Sequence, residues 1–281
     1  MRERMTLKDL LSTALIPCGH TLYVWGGGWN AEDTGAGEDA LRIGESPRWR
    51  AFYEANARGY DYKEHRYSFG DGLDCSGYVG WVLYNTLEES GGTDASRQAP
   101  CAQPTRTAHP EGYVCKSTDM AQWLSGLGFG TYVPKSLSGC SLPGDIVSMK
   151  GHVYISLGTC ADGSVVLLHS SPQAGVQISG TVRPGEPDEY ANAFGPAAVI
   201  SEDNGTCVSC AEKRSVAWHL AEDVMSRQYP ACHALFGTKY CGSIYLDRTL
   251  LHWDLISGPL FDPDGLVLKK PEEVLKLLMK R

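Results

Sequence analysis

The chain has 281 residues, of which 42% are hydrophobic and 21% charged, and its formal net charge is −8. That length and apolar content suit one large domain, or a domain and a half, with a real core. The acidic balance, without a basic run or a Lys/Arg stripe among aromatics, argues against nucleic-acid binding, and no window approaches 18 uninterrupted apolar residues, so no transmembrane helix is expected.

Leu7, Leu10, Leu11, Ala14 and Leu15 recur at the spacing of an amphipathic helix. Thr6 and Asp9 fit a capping box at its start, and Pro17 suits its end. Arg2, Arg4 and Lys8 ahead of an apolar stretch resemble a signal peptide superficially. Asp9 interrupts that stretch and no small-residue cleavage site follows, so the segment is read as the first helix of the folded domain, with the compartment left open. Residues 21–25 then look like a short strand closed by Gly26, Gly27 and Gly28. Residues 29–73 are irregular but hold Trp49, Phe52, Tyr53, Tyr60 and Tyr62, too aromatic for a disordered linker, and are read as a structured insertion.

The clearest helix is 74–87, with Asp74 as its N-cap and Cys75, Tyr78, Val79, Val82, Leu83 and Thr86 along one stripe. Residues 90–115 read as a second loop excursion and 118–127 as a short helix. From Leu142 the period changes to two. Strands are expected at 146–149, 152–157 and 165–169, with a fourth near 176–178, and Asp162-Gly163 lies in a turn. Beyond residue 200 come a cysteine-bearing segment, a strand-like run at 243–246 and a closing helix from Pro271. A helix followed by antiparallel strands argues for an α+β domain.

Three residues carry the chemistry. Cys75 stands in the first turn of its helix, where free N–H groups and the helix dipole favour an anion, so a lowered pKa is expected. A buried, inert helical cysteine is the bland alternative. Pairing the two strands so that His152 faces His169 also pairs Leu157 with Ser164 and leaves the Asp-Gly turn in the loop. That places both imidazoles on one sheet face, one able to take the thiol proton and the other to fix its tautomer.

In four pieces the chain resembles the NlpC/p60 cell-wall cysteine peptidases: Tyr23-Val24-Trp25-Gly26-Gly27; Asp74-Cys75-Ser76-Gly77-Tyr78-Val79; Leu142-Pro143-Gly144-Asp145-Ile146-Val147 with His152-Val153-Tyr154-Ile155; and Leu168-His169-Ser170. The resemblance covers about residues 6–180. It implies a papain-like α+β fold, Cys75 as nucleophile, His152 as base and His169 as its orienting partner. It also implies that Tyr23 reaches into the site, and that Asp74 and Ser76 hold the free amino end of a peptidoglycan-derived peptide. The implied reaction is amide hydrolysis through a thioester, cutting the D-glutamyl to diamino acid bond, with no cofactor. An N-acetylmuramoyl-alanine amidase or an acyltransferase using the same site is the alternative, and a binding module that has lost catalysis is a third class, disfavoured by the intact triad. The domain is expected over 1–200, with insertions at 29–73 and 90–115, and 201–281 as an extension packed on it.

Ten cysteines are scattered over a chain too long to need a disulfide framework. Cys207-x-x-Cys210 with Cys232, His233 and Cys241 has zinc-like elements, but its second half lacks a tight ligand pair, and no metal is expected. Trp49, Trp123, Trp218 and Trp253 are read as core. His20, His65, His109, His219 and His252 follow no pattern.

Overall fold

The computed structural model describes residues 5–28, 45–68, 70–87, 113, 115–187 and 214–280. In chain order these form β1 (Met5–Thr6), α1 (Leu7–Ala14), α2 (Pro47–Asn56), α3 (Cys75–Leu87), α4 (Met120–Gly126), β2 (Gly130–Val133), β3 (Ile146–Met149), β4 (His152–Thr159), β5 (Val165–Ser171) and β6 (Gly175–Thr181). There follow α5 (Val216–Gln228), α6 (Pro230–Phe236), β7 (Tyr240–Cys241), β8 (Thr249–Trp253), β9 (Leu260–Phe261) and α7 (Pro271–Met279). The class is α+β.

Helix α1 starts as its sequence dictates. Asp9 N donates to Thr6 Oγ1 at 3.0 Å and Thr6 N to Asp9 Oδ2 at 2.9 Å, closing the capping box. Its apolar stripe, Leu7, Leu10, Leu11 and Ala14, is fully buried. Helix α3 is more than amphipathic: Gly77 to Leu83 are all buried, as expected of a helix enclosed on every side.

One seven-stranded sheet has the order β2-β8-β3-β4-β5-β6-β7. Within this sheet, among the described residues, only the β6–β7 pair is parallel; β1 and β9 form a separate parallel pair. Residues 201–281 are therefore not an appendage in the described part of the chain, because they supply β7 at one edge and β8 in the interior of the sheet. On one face Ile146, Val153, Ile155, Val166, Leu168, Val176, Ile178 and Leu251 form the main core with α1, α3, α4, α5 and α7. The alternate residues, Val147, Met149, Tyr154, Val165, Leu167 and Leu250, form a smaller core on the opposite face, roofed by Tyr245.

Three local expectations are corrected. Residues 21–24 form no ladder. They run extended and are held by single bonds, Val176 N to Thr21 O at 2.9 Å and Leu73 N to Leu22 O at 3.2 Å. The run Ser243–Leu246 is a 3-10 turn, and the strand lies a few residues later at β8. In the β4–β5 hairpin Ile155 pairs with Leu168 and Ser156 with Leu167, with a bulge between Ser156 and Gly158. The register thus differs by two from the one that sets His152 opposite His169: the turn lies farther along the chain, which shifts the pairing by three, and the bulge takes back one. A shift of two keeps each side chain on its face.

Candidate functional site

Cys75 opens α3. Asp74 caps it, accepting from Gly77 N at 2.7 Å and from Ser76 Oγ at 2.9 Å. The start of α3 is pressed against the extended Tyr23 segment. Asp74 N donates to Gly27 O at 3.0 Å, and a Cβ on Gly77 would lie 2.2 Å from that same oxygen. Only glycine at 77 permits this approach to the segment that carries the buried Tyr23. From the sheet side, Ser170 Oγ donates to Leu73 O at 2.6 Å, tying the residue after His169 to the loop that delivers Cys75.

His152 and His169 are joined diagonally across the hairpin, Nε2 of His152 to Nδ1 of His169 at 2.9 Å. The far nitrogen of His169, Nε2, meets Ser179 Oγ at 3.0 Å, and Ser179 Oγ donates to Gln177 Oε1 at 3.2 Å. Gln177 Oε1 also accepts from the backbone N–H of Lys239 at 2.9 Å. A backbone N–H can only donate, so it fixes the amide orientation of Gln177. Every later step then follows. Ser179 spends its proton on Gln177 and accepts from His169 Nε2–H. His169 Nδ1 is left bare and accepts from His152 Nε2–H. His152 Nδ1 is consequently unprotonated, the state a general base requires.

Burial dominates the electrostatics. It pulls His152 down to about 3, with Lys239 acting in the same direction. It also lowers His169, helped by His152 and Lys239. Burial, then the charge of Asp74, pushes the Cys75 thiol up to about 12, although the N–H groups of Val153, Ser76 and Cys75 itself oppose this. The expected low-pKa thiolate is therefore corrected. Three backbone donors and a helix start do not outweigh the loss of solvent, which favours the neutral form of all three groups. No hydrogen bond joins Cys75 Sγ to His152 among the described residues. Val153, whose N–H is among the groups that favour the thiolate, is the neighbour of His152 on β4.

Asp74 and Ser76 sit at the helix start but spend their bonds on each other and on the cap. Burial raises the Asp74 carboxyl. The described part of the insertion does lie against the site. The ring of Tyr62 meets Tyr23 edge-on at 5.8 Å, Tyr60 Oη donates to Tyr23 O at 2.5 Å, and Trp49 packs on Trp81 of α3 at 5.5 Å. Residues 29–44 and most of 90–115 fall outside the described residues, as do Cys207 and Cys210. Cys232 belongs to the main core and Cys241 to the opposite one. Among the described residues no group of three His, Cys, Asp or Glu is arranged to hold a metal ion, and no helix is long and apolar enough to cross a membrane.

Sequence reasoning missed Gln177, Ser179, Lys239 and Tyr245. A signal existed for the first two: they alternate with Val176 and Ile178 in a strand whose polar residues are also buried. Nothing in periodicity marks Lys239 or Tyr245. No protein-family model, no curated protein and no solved structure matches the chain.

Proposed function

We propose that the chain is a cysteine peptidase of the NlpC/p60 type on a papain-like fold, hydrolysing an amide bond in short peptidoglycan stem peptides, D-glutamyl to diamino acid. The observation that carries this reading is the hydrogen-bond chain from Lys239 N to His152, which leaves His152 Nδ1 bare. In the reaction Sγ bonds to the substrate carbonyl carbon as His152 Nδ1 takes the thiol proton. The N–H of Gly77 is spent on the Asp74 cap, so the oxyanion would fall to the backbone N–H of Cys75 itself. The imidazolium returns the proton to the leaving nitrogen as the C–N bond breaks, giving a thioester, which water then hydrolyses with His152 again as base. The substrate class rests on the resemblance of the motifs, and the crowding around Tyr23 favours small soluble peptides over cross-linked wall.

Incubation with defined stem peptides, read by mass spectrometry, tests this. Cleavage at the D-glutamyl bond that disappears in Cys75→Ala is expected. Intact peptides with a folded wild-type protein, or products cut instead at the muramoyl–alanine amide, overturn it. Equal cleavage of free and N-acetylated peptides would restrict Asp74 and Ser76 to the cap.

A further inference from the structure

The aromatic ring of Tyr245 lies edge-on to both imidazoles, with centroids 5.3 Å from His152 and 5.8 Å from His169. It is tilted against Tyr154 at 5.9 Å, and its backbone carbonyl accepts from Tyr154 Oη at 2.8 Å and from Arg248 Nη1 at 3.4 Å. The Lys239 ammonium stands 5.7 Å from the ring centroid. Tyr245 itself is 6% exposed. It comes from the 3-10 turn Ser243–Leu246, held between β7 and β8, and so from the part of the chain for which the family resemblance offers no role.

We propose that Tyr245 is a positioning residue: its ring closes the sheet face over His152 and His169, keeps water from the pair, and thereby holds both rings neutral and in the single tautomer that leaves His152 Nδ1 bare. The proposal deepens the peptidase reading and rests on it for its consequence in catalysis, but not for its geometry. Without the ring, water would reach both imidazoles. Water solvates the imidazolium and offers each ring nitrogen an alternative partner, so both the neutrality and the tautomer would be lost. The phenol hydroxyl is secondary, since the contacts to the imidazoles are made by the ring. The other titratable or charged groups around the pair are Lys239 and Cys241 at β7, Tyr154 on β4, Arg248 before β8 and Cys75 on α3. Of these, the pull on the imidazoles comes from Lys239, and burial outranks it.

The test is nitrogen NMR of the histidine rings in the full chain across pH, for wild type, Tyr245→Phe and Tyr245→Leu. Tyr245→Phe keeps the ring, so the His152 midpoint and its Nε2–H tautomer should stay as in wild type. Tyr245→Leu should raise the midpoint by about one pH unit or more and mix the tautomers. The acid limb of kcat/KM should move in the same direction. Identical titrations in wild type and a folded Tyr245→Leu overturn the proposal, and so does a Tyr245→Phe that behaves like Tyr245→Leu. If Tyr245→Leu does not fold, Tyr245→Met provides the same comparison. The titrations need no substrate, so a chain that cleaves no peptide refutes the peptidase reading separately.

Discussion

Replacing Gly77 by alanine tests how the site is assembled. A Cβ there would sit 2.2 Å from Gly27 O and 3.1 Å from Gly28 Cα, where ordinary contact begins near 3.4 Å. Both obstacles are backbone atoms and cannot rotate away, so the start of α3 and the Tyr23 segment must part by about 1 Å, a displacement that alone can cost on the order of 100-fold in rate. Two stability effects oppose each other. Alanine gains about 1 kcal/mol of helix propensity, and overpacking costs about 1–3 kcal/mol, so a modest net loss is expected. Gly77→Ala should therefore stay folded but lose most of its kcat/KM. Gly126, at the end of α4, is the control. Nothing lies within 4 Å of its Cβ position, so Gly126→Ala should gain about 0.4–1 kcal/mol and keep full activity. Denaturant melts and steady-state kinetics on one stem peptide read both. A folded Gly77→Ala with wild-type kcat/KM would show that the close approach of the two backbones does not set the geometry of the thiol.

Three further outcomes are expected. His152→Ala should be as inactive as Cys75→Ala, whereas His169→Asn, which retains a hydrogen-bonding side chain beside His152, should keep measurable turnover; equal loss in both folded variants would reverse the two roles. Iodoacetamide at mildly acidic pH should label Cys75 no faster than the exposed Cys140, because burial raises the thiol; rapid selective labelling would show a thiolate after all. His252, whose Nδ1 lies 2.9 Å from the buried Asp145 carboxylate, is raised above 6.5 by that bond. A raised histidine stabilises below its unfolded pKa, and the gain is lost as pH climbs through the folded one, while burial makes Asp145 take up its own proton earlier than a free carboxylate. The stability lost in His252→Gln should therefore peak in mildly acidic solution and fade on both sides; a loss that does not vary with pH would refute the ion pair.

Much of the frame was legible because local rules carried it. The capping box at Thr6, the cap at Asp74 and the two-residue period from Ile146 each depend on neighbours close in sequence. The hairpin was read on the right face but in the wrong register, because neither the place of its turn nor the bulge between Ser156 and Gly158 leaves a mark in the alternation. The cysteine was placed at its helix start, yet its acidity was misjudged. Dipole and cap are visible in the sequence, and burial of the sulfur in the folded chain is not. Likewise, the polar chain through Gln177 and Ser179 ends at Lys239, 62 residues from Gln177, a closure that only the folded sheet reveals.

The position of β8 has a consequence for how the protein comes to exist in the cell. Residues 249–253 fill the slot between β2 and β3. During synthesis the ribosome must deliver the chain past residue 253 before that slot can close. Until then β3 has a bare edge next to the hairpin that bears both histidines. A fragment ending before residue 249 would contain Cys75, His152 and His169 and yet lack a finished sheet to hold them. The late emergence of β8 thus ties maturation of the site to synthesis of the chain past residue 253.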